Sequence, residues 1–105
     1  MRIARSARRT HDRSVWETID PDGRPVGLSF GSWRHILETH DELGVPPEVV
    51  LDIVADPDHR APGREAKEVW FYKAGLGPSR WIKVVVHYER GRGWIVTAFP
   101  RRSFP

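Results

Sequence analysis

Apolar and polar positions follow two different rhythms along this chain. Trp33, Ile36, Leu37 and His40 recur at i, i+3, i+4 and i+7, the spacing of one helical face. Ser32 can cap that helix, which runs to about Asp41 and ends by Gly44. Val49, Val50, Ile53 and Val54 repeat the pattern in a second helix, which starts at Pro46–Pro47 and stops before Pro57. Elsewhere the rhythm is that of strands. Val15–Ile19 and Pro25–Phe30 flank the turn residues Asp20-Pro21-Asp22-Gly23. After a loop over residues 56–66, three strand patterns follow at Glu68–Ala74, Trp81–Glu89 and Trp94–Phe99. Gly75–Ser79 and Arg90–Gly93 separate them, connections short enough for antiparallel hairpins but not for parallel crossovers. The expected architecture is α+β: two N-terminal helices packed on an antiparallel sheet of three to five strands.

Polarity sorting within the hairpin of Trp81–Glu89 and Trp94–Phe99 predicts its register. Ile82, Val84, Val86 and Tyr88 form one face, and pairing Tyr88 with Trp94 adds Val96 and Ala98 to it. Lys83, His87 and Thr97 then share the opposite surface, with Trp70 or Tyr72 beside them.

Length and composition narrow the class. The 105 residues make room for one domain, expected over 15–105 behind a basic arm over 1–14 that carries five Arg. Hydrophobic residues are 39% and charged residues 30%, which suits a folded chain. No apolar run is long enough for a membrane helix, and no apolar leader follows Met1, so a cytoplasmic protein without membrane association is expected. The absence of cysteine removes disulfides, thiol catalysis and cysteine-based metal sites.

The net charge is +3, and Arg supplies fourteen of the seventeen basic residues. Guanidinium groups suit phosphate, so a polyanionic partner is compatible with this balance, as is simple compositional bias toward Arg.

Five histidines are the first candidates for chemistry. His35 and His40 stand five apart, about 140° around a helix, which disfavours a shared metal. His40 lies on the apolar stripe, where a core role competes with a functional one, and His35 points away from it. His87 beside Lys83 is an acid/base candidate, because histidine titrates near neutrality and a nearby cation tunes it. Arg101 and Arg102 after Pro100 can hold a phosphate. Neither a metal nor a cofactor is expected.

Several of these stretches carry a resemblance. The run WRHILETHDEL (Trp33–Leu43) is similar to the HI-x-x-x-H-P-E-L helix of small phage and prophage domains grouped with Barnase, EndoU, colicin and RelE toxins. PPEVVLDIVADPD (Pro46–Asp58) resembles the second helix of that family. EVWFYK, IKVVVHY and WIVTAFP resemble its three closing strands. The resemblance covers about residues 28–102, with Asp41 standing where the family has Pro.

It implies a RelE/Barnase-like fold and a toxin-like, metal-independent ribonuclease acting on tRNA or mRNA, with an antitoxin or immunity protein as partner. His35, His40, Tyr72, Thr97 and Arg101 match the family's motif positions. Cleavage without metal needs a base on the 2′-hydroxyl, an acid for the leaving 5′-oxygen and cations on the phosphorane. His40 or His87 can be base or acid. Lys83 and Arg101 would stabilise charge, and Thr97 or Tyr72 would orient the phosphate. The competing expectation is a non-catalytic nucleic-acid- or protein-binding module on the same fold. The oligomeric state is open.

Overall fold

The computed structural model describes residues 14–76 and 80–103. The basic arm expected over 1–14 therefore lies outside the described residues except for the backbone of Ser14, as does the turn segment Gly77–Ser79. Two strands come first, β1 (Ser14–Ile19) and β2 (Pro25–Ser29). Helix α1 (Phe30–Thr39), a single 3-10 turn (Asp41–Leu43) and helix α2 (Pro47–Ala55) follow. Strands β3 (His59–Pro62), β4 (Glu68–Ala74), β5 (Trp81–Glu89) and β6 (Arg92–Arg101) complete the order.

The six strands form one sheet in the order β1-β2-β6-β5-β4-β3. Neighbours are antiparallel except β2 and β6, which run parallel through Val26–Gly93 and Gly27–Trp94. This corrects the expectation of two N-terminal helices on an antiparallel sheet of three to five strands. The sheet is mixed and has six strands, and the helices follow the first hairpin. The hairpin docks beside β6 because Val26 and Leu28 are apolar and become fully buried there. The extra strand, β3, comes from the segment read as a loop. It carries no apolar alternation and is held by main-chain pairing to β4 at a sheet edge.

Local chemistry explains the helix ends. Ser29, not Ser32, caps α1: its Oγ accepts the Ser32 N–H at 3.1 Å. The helix ends at His40, whose N–H reaches the Ile36 carbonyl at 2.7 Å. Gly44, at φ 69°, supplies the left-handed residue that closes the 3-10 turn. Pro46 and Pro47 stand where amide hydrogens have no helical partner, so α2 starts there at little cost.

Both helices pack on one side of the sheet. Trp33, Ile36, Val50, Leu51, Ile53 and Val54 meet Leu28, Phe71, Ile82, Val84, Val86, Ile95 and Ala98 in one core. Leu37, expected on the buried stripe, is instead exposed.

The β5–β6 hairpin keeps the expected register from Trp81–Arg101 to Val85–Thr97 and departs from it by one residue between Val86 and the turn, for a local reason. Arg90 and Gly91 form a two-residue turn with φ of 55° and 79°, the all-positive form that matches strand twist. That turn sets Glu89 opposite Arg92, hence His87 opposite Trp94 rather than Tyr88 opposite Trp94. A bulge follows: Val86 pairs with Ile95, and Val85 with Thr97. Ile95 is therefore in the core at 1% exposure while Val96, expected there, is 46% exposed. Trp94 likewise turns to the face away from the helices, where its partner His87 lies.

The Asp20–Arg24 turn does more than reverse the chain. Asp20 Oδ1 accepts the N–H groups of Asp22 and Arg24, both at 2.9 Å. Its Oδ2 accepts from Arg24 Nε at 3.0 Å and from the Tyr88 hydroxyl at 2.7 Å. Asp22 in turn takes Arg60 of β3 at 2.9 Å. The tip of the first hairpin is thus tied to the end of β5 and to the opposite edge strand. Burial by itself would raise the Asp20 pKa, but the hydrogen bonds and the Arg24 charge hold it below the usual carboxylate range. Burial and the Asp20 carboxylate push the Tyr88 hydroxyl well above the ordinary tyrosine range.

Candidate nucleic-acid interface on the sheet face opposite the helices

Strand pairing places residues of one face side by side, so the register defines the composition of the face without the helices. Its central row runs His59, Tyr72, Lys83 and Phe99 across β3, β4, β5 and β6. On one side lies the row Ala74, Trp81 and Arg101, and on the other Trp70, Val85 and Thr97. A further row holds Glu68, His87 and Trp94. Lys83, His87 and Thr97 do share this face.

Lys83 is the focus. Its ammonium stands 3.3 Å from the Trp70 ring centroid, with Phe99 at 5.6 Å and Tyr72 at 5.8 Å. The side chain is held over π faces, which attract a cation, and the residue is only 6% exposed. Burial is the main force lowering its pKa; the Arg101 charge, and less strongly Arg64, act the same way, and Glu68 opposes them. Tyr72 is fully buried, and that burial raises its pKa against the pull of Arg101. Among the described residues, the Thr97 hydroxyl is buried without a hydrogen-bond partner.

His40 joins this row from the other layer. Because β2 pairs with β6 at only two positions, α1 and the 3-10 turn flank the rest of that strand. The His40 ring lies 5.0 Å from Phe99 at 36°, and its Nδ1 is 3.8 Å from Glu42. Phe99 is thus shared by His40 and Lys83. His40 is half-buried, so it is not the enclosed core residue that its place on the apolar stripe allowed.

The remaining candidates separate. His87 is four residues from Lys83 on one strand, about 13 Å at 3.3 Å per residue, so the two cannot serve one phosphate. Its cross-strand neighbours are Glu68 and Trp94, and Glu68 is engaged by the Trp70 indole N–H. His35 is exposed on α1, where its Nδ1 and carbonyl meet the Thr39 hydroxyl at 3.3 and 2.6 Å. It is brought to no other candidate. Arg101 stands by Lys83, whereas Arg102 lines a separate depression with Arg80, Trp81 and Ser103. Among the described residues no three His, Asp or Glu side chains gather as a metal site would need.

Sequence reasoning missed His59 and Trp81, whose rings lie 5.5 Å apart beside Tyr72 and Arg101. His59 fell in a segment with no periodic signal, and Trp81 opens a strand whose register was needed to assign its face. Arg92 was passed over as a turn residue; its guanidinium pairs with Glu17 and lies 4.4 Å from the Trp94 ring centroid.

Compared with models of protein families, with curated proteins and with solved structures, the chain matches none.

Proposed function

We propose that this chain is a small, metal-independent ribonuclease that binds single-stranded RNA across the sheet face opposite its helices. The observation that carries the reading is Lys83. It is a nearly buried ammonium amid three aromatic rings, with Arg101 adding charge and His40 sharing the Phe99 ring. Aromatic faces accept bases of any identity, and flanking guanidinium groups hold phosphates.

In this reading the 2′-oxygen attacks the adjacent phosphorus after losing its proton to a base, and the 5′-oxygen leaves with a proton from an acid. The products are a 2′,3′-cyclic phosphate and a 5′-hydroxyl. His40, which shares the Phe99 ring with Lys83, takes one proton-transfer role in this reading. Lys83 and Arg101 stabilise the phosphorane, while the buried Tyr72 and the buried Thr97 hydroxyl lie in the face beneath the phosphate rather than against it. His87 and Trp94 lie farther along the face and contact a neighbouring nucleotide. The partners in this reading are RNA and an antitoxin or immunity protein, in a cytoplasmic setting.

A second reading is a binding module without catalysis. Trp70, Trp81, Trp94 and Phe99 on one face favour it, because a stacking platform is complete without any proton transfer. Incubating the purified chain with total RNA in chelator separates the two. Cleavage to cyclic-phosphate ends supports the enzyme, retention without cleavage supports the module, and neither result removes RNA.

A further inference from the structure

Past the Lys83 row, the same face runs out into an open depression. Trp81 begins β5 and pairs with Arg101 at the end of β6. Just beyond them Arg80, Trp81, Arg102 and Ser103 line a concavity of about 450 Å³. That lies within the size range of small-ligand sites, roughly 300–1,000 Å³. His59 buttresses the Trp81 ring at 5.5 Å. The Arg80 carbonyl accepts the Gly75 N–H at 3.2 Å, which fixes its backbone at the end of the ladder.

The chemistry of the lining is selective. It offers an indole face, two guanidinium groups and a hydroxyl, with no carboxylate among the described residues that line it. The acids of the neighbouring strand end are engaged elsewhere. Asp56 and Asp58 approach Lys73 Nζ at 3.3 and 3.9 Å, and Asp58 also accepts the Ala74 N–H at 2.9 Å. Among the described residues of the lining, an anion entering the depression therefore meets two guanidinium groups and no acid.

We propose that this depression is a subsite for a nucleotide bearing a terminal phosphate monoester, its base against Trp81 and its phosphate between Arg80 and Arg102. A monoester carries a charge of about −1.5 to −2 near neutrality, against −1 for an internal diester, and so matches two guanidinium groups better. An indole accepts any base face, so the selectivity is for the phosphate rather than for base identity. Ser103 supplies one further hydroxyl donor. As the end of an RNA strand, this ligand rests on the reading above; as a mononucleotide it can be assayed independently. The phosphate can belong to a 5′ end or a 3′ end.

The test is calorimetric titration of the full chain with adenosine, adenosine 5′-phosphate, adenosine 3′-phosphate and inorganic phosphate. At least one nucleotide binds tenfold or more tighter than both adenosine and inorganic phosphate, and the tighter one identifies the strand end. Arg80→Ala with Arg102→Ala abolishes that preference, and Arg102→Glu does so alone; both positions are exposed, so thermal melts stay at the wild-type value. Equal binding of adenosine and its phosphates, inorganic phosphate binding as tightly as the nucleotides, or a preference that survives the arginine variants overturns the proposal. Phosphate-selective nucleotide binding by a chain that neither binds nor cleaves RNA upholds the subsite and removes the RNA reading. Cleavage of RNA with no phosphate preference does the reverse.

Discussion

Tyr88→Phe isolates one hydroxyl in the tie between the first hairpin and the end of β5. The phenol donates to Asp20 Oδ2 at 2.7 Å in a buried setting. The ring remains, and so does the Arg24 guanidinium 3.9 Å from its centroid, leaving the packing and the cation–π contact in place. Asp20 keeps two backbone N–H donors and Arg24 Nε. A hydrogen bond to a charged group contributes about 1.5–3 kcal/mol, so a loss of about 2 kcal/mol is expected at pH 7. At about 2.1 cal/mol/K per residue, a 105-residue domain then melts roughly 9 °C lower.

The pH dependence follows from the two pKa shifts. The Asp20 carboxyl is depressed, so its contribution is fully present above the unfolded carboxylate pKa and is lost as pH falls through the folded value. The Tyr88 hydroxyl is raised, so its contribution is fully present below about pH 10, the ordinary tyrosine value, and is lost as pH rises toward the folded value. The difference between wild type and variant is therefore a plateau from about pH 4 to about pH 10 that narrows at both ends. Urea unfolding across that range, with unchanged slope, measures it. A loss under about 0.5 kcal/mol at pH 7, or a loss that does not shrink as pH rises above about 10, refutes the reasoning.

Lys83→Met keeps the length of the side chain and removes its charge; in salt titrations of single-stranded RNA binding, the log–log slope falls by about 0.7 if that ammonium meets a phosphate. Because the Lys83 pKa is lowered, wild-type charge stabilisation fades at a pH below the ordinary lysine range, and the alkaline limb of a pH–rate profile shows this by shifting upward when Arg101→Ala removes one cause. His40→Ala lowers the cleavage rate by roughly 10²–10⁴-fold, His87→Ala chiefly weakens binding, and His35→Ala leaves single-turnover rates in chelator unchanged. Val96→Lys is tolerated and Ile95→Lys unfolds the domain, because adjacent residues on either side of the bulge differ from 46% to 1% exposure; circular dichroism of the pair checks the register.

Much of this fold is local and can be read from the order of residue types. The stripe at 49–54 and the alternation in Ile82–Tyr88 each require one buried face, and of the stripe at 33–40 Trp33 and Ile36 are buried while Leu37 is not. For the same reason the shared surface of Lys83, His87 and Thr97 was legible, since a strand's two faces sort by polarity. Other features depend on partners distant in sequence. Nothing in Pro25–Ser29 specifies a parallel neighbour more than sixty residues away; Val26 and Leu28 demand burial, and β6 happened to offer an open edge. β3 is held by backbone hydrogen bonds, which leave no mark on side-chain periodicity. The bulge at Val96 was invisible because Ile95, Val96 and Ala98 are all apolar, and only the two-residue turn at Arg90–Gly91 settles which one faces the core. The Lys83 neighbourhood combines both kinds of information. Its strand residues follow from alternation, but His40 reaches Phe99 only because the short β2 pairing leaves that stretch of β6 to the end of α1.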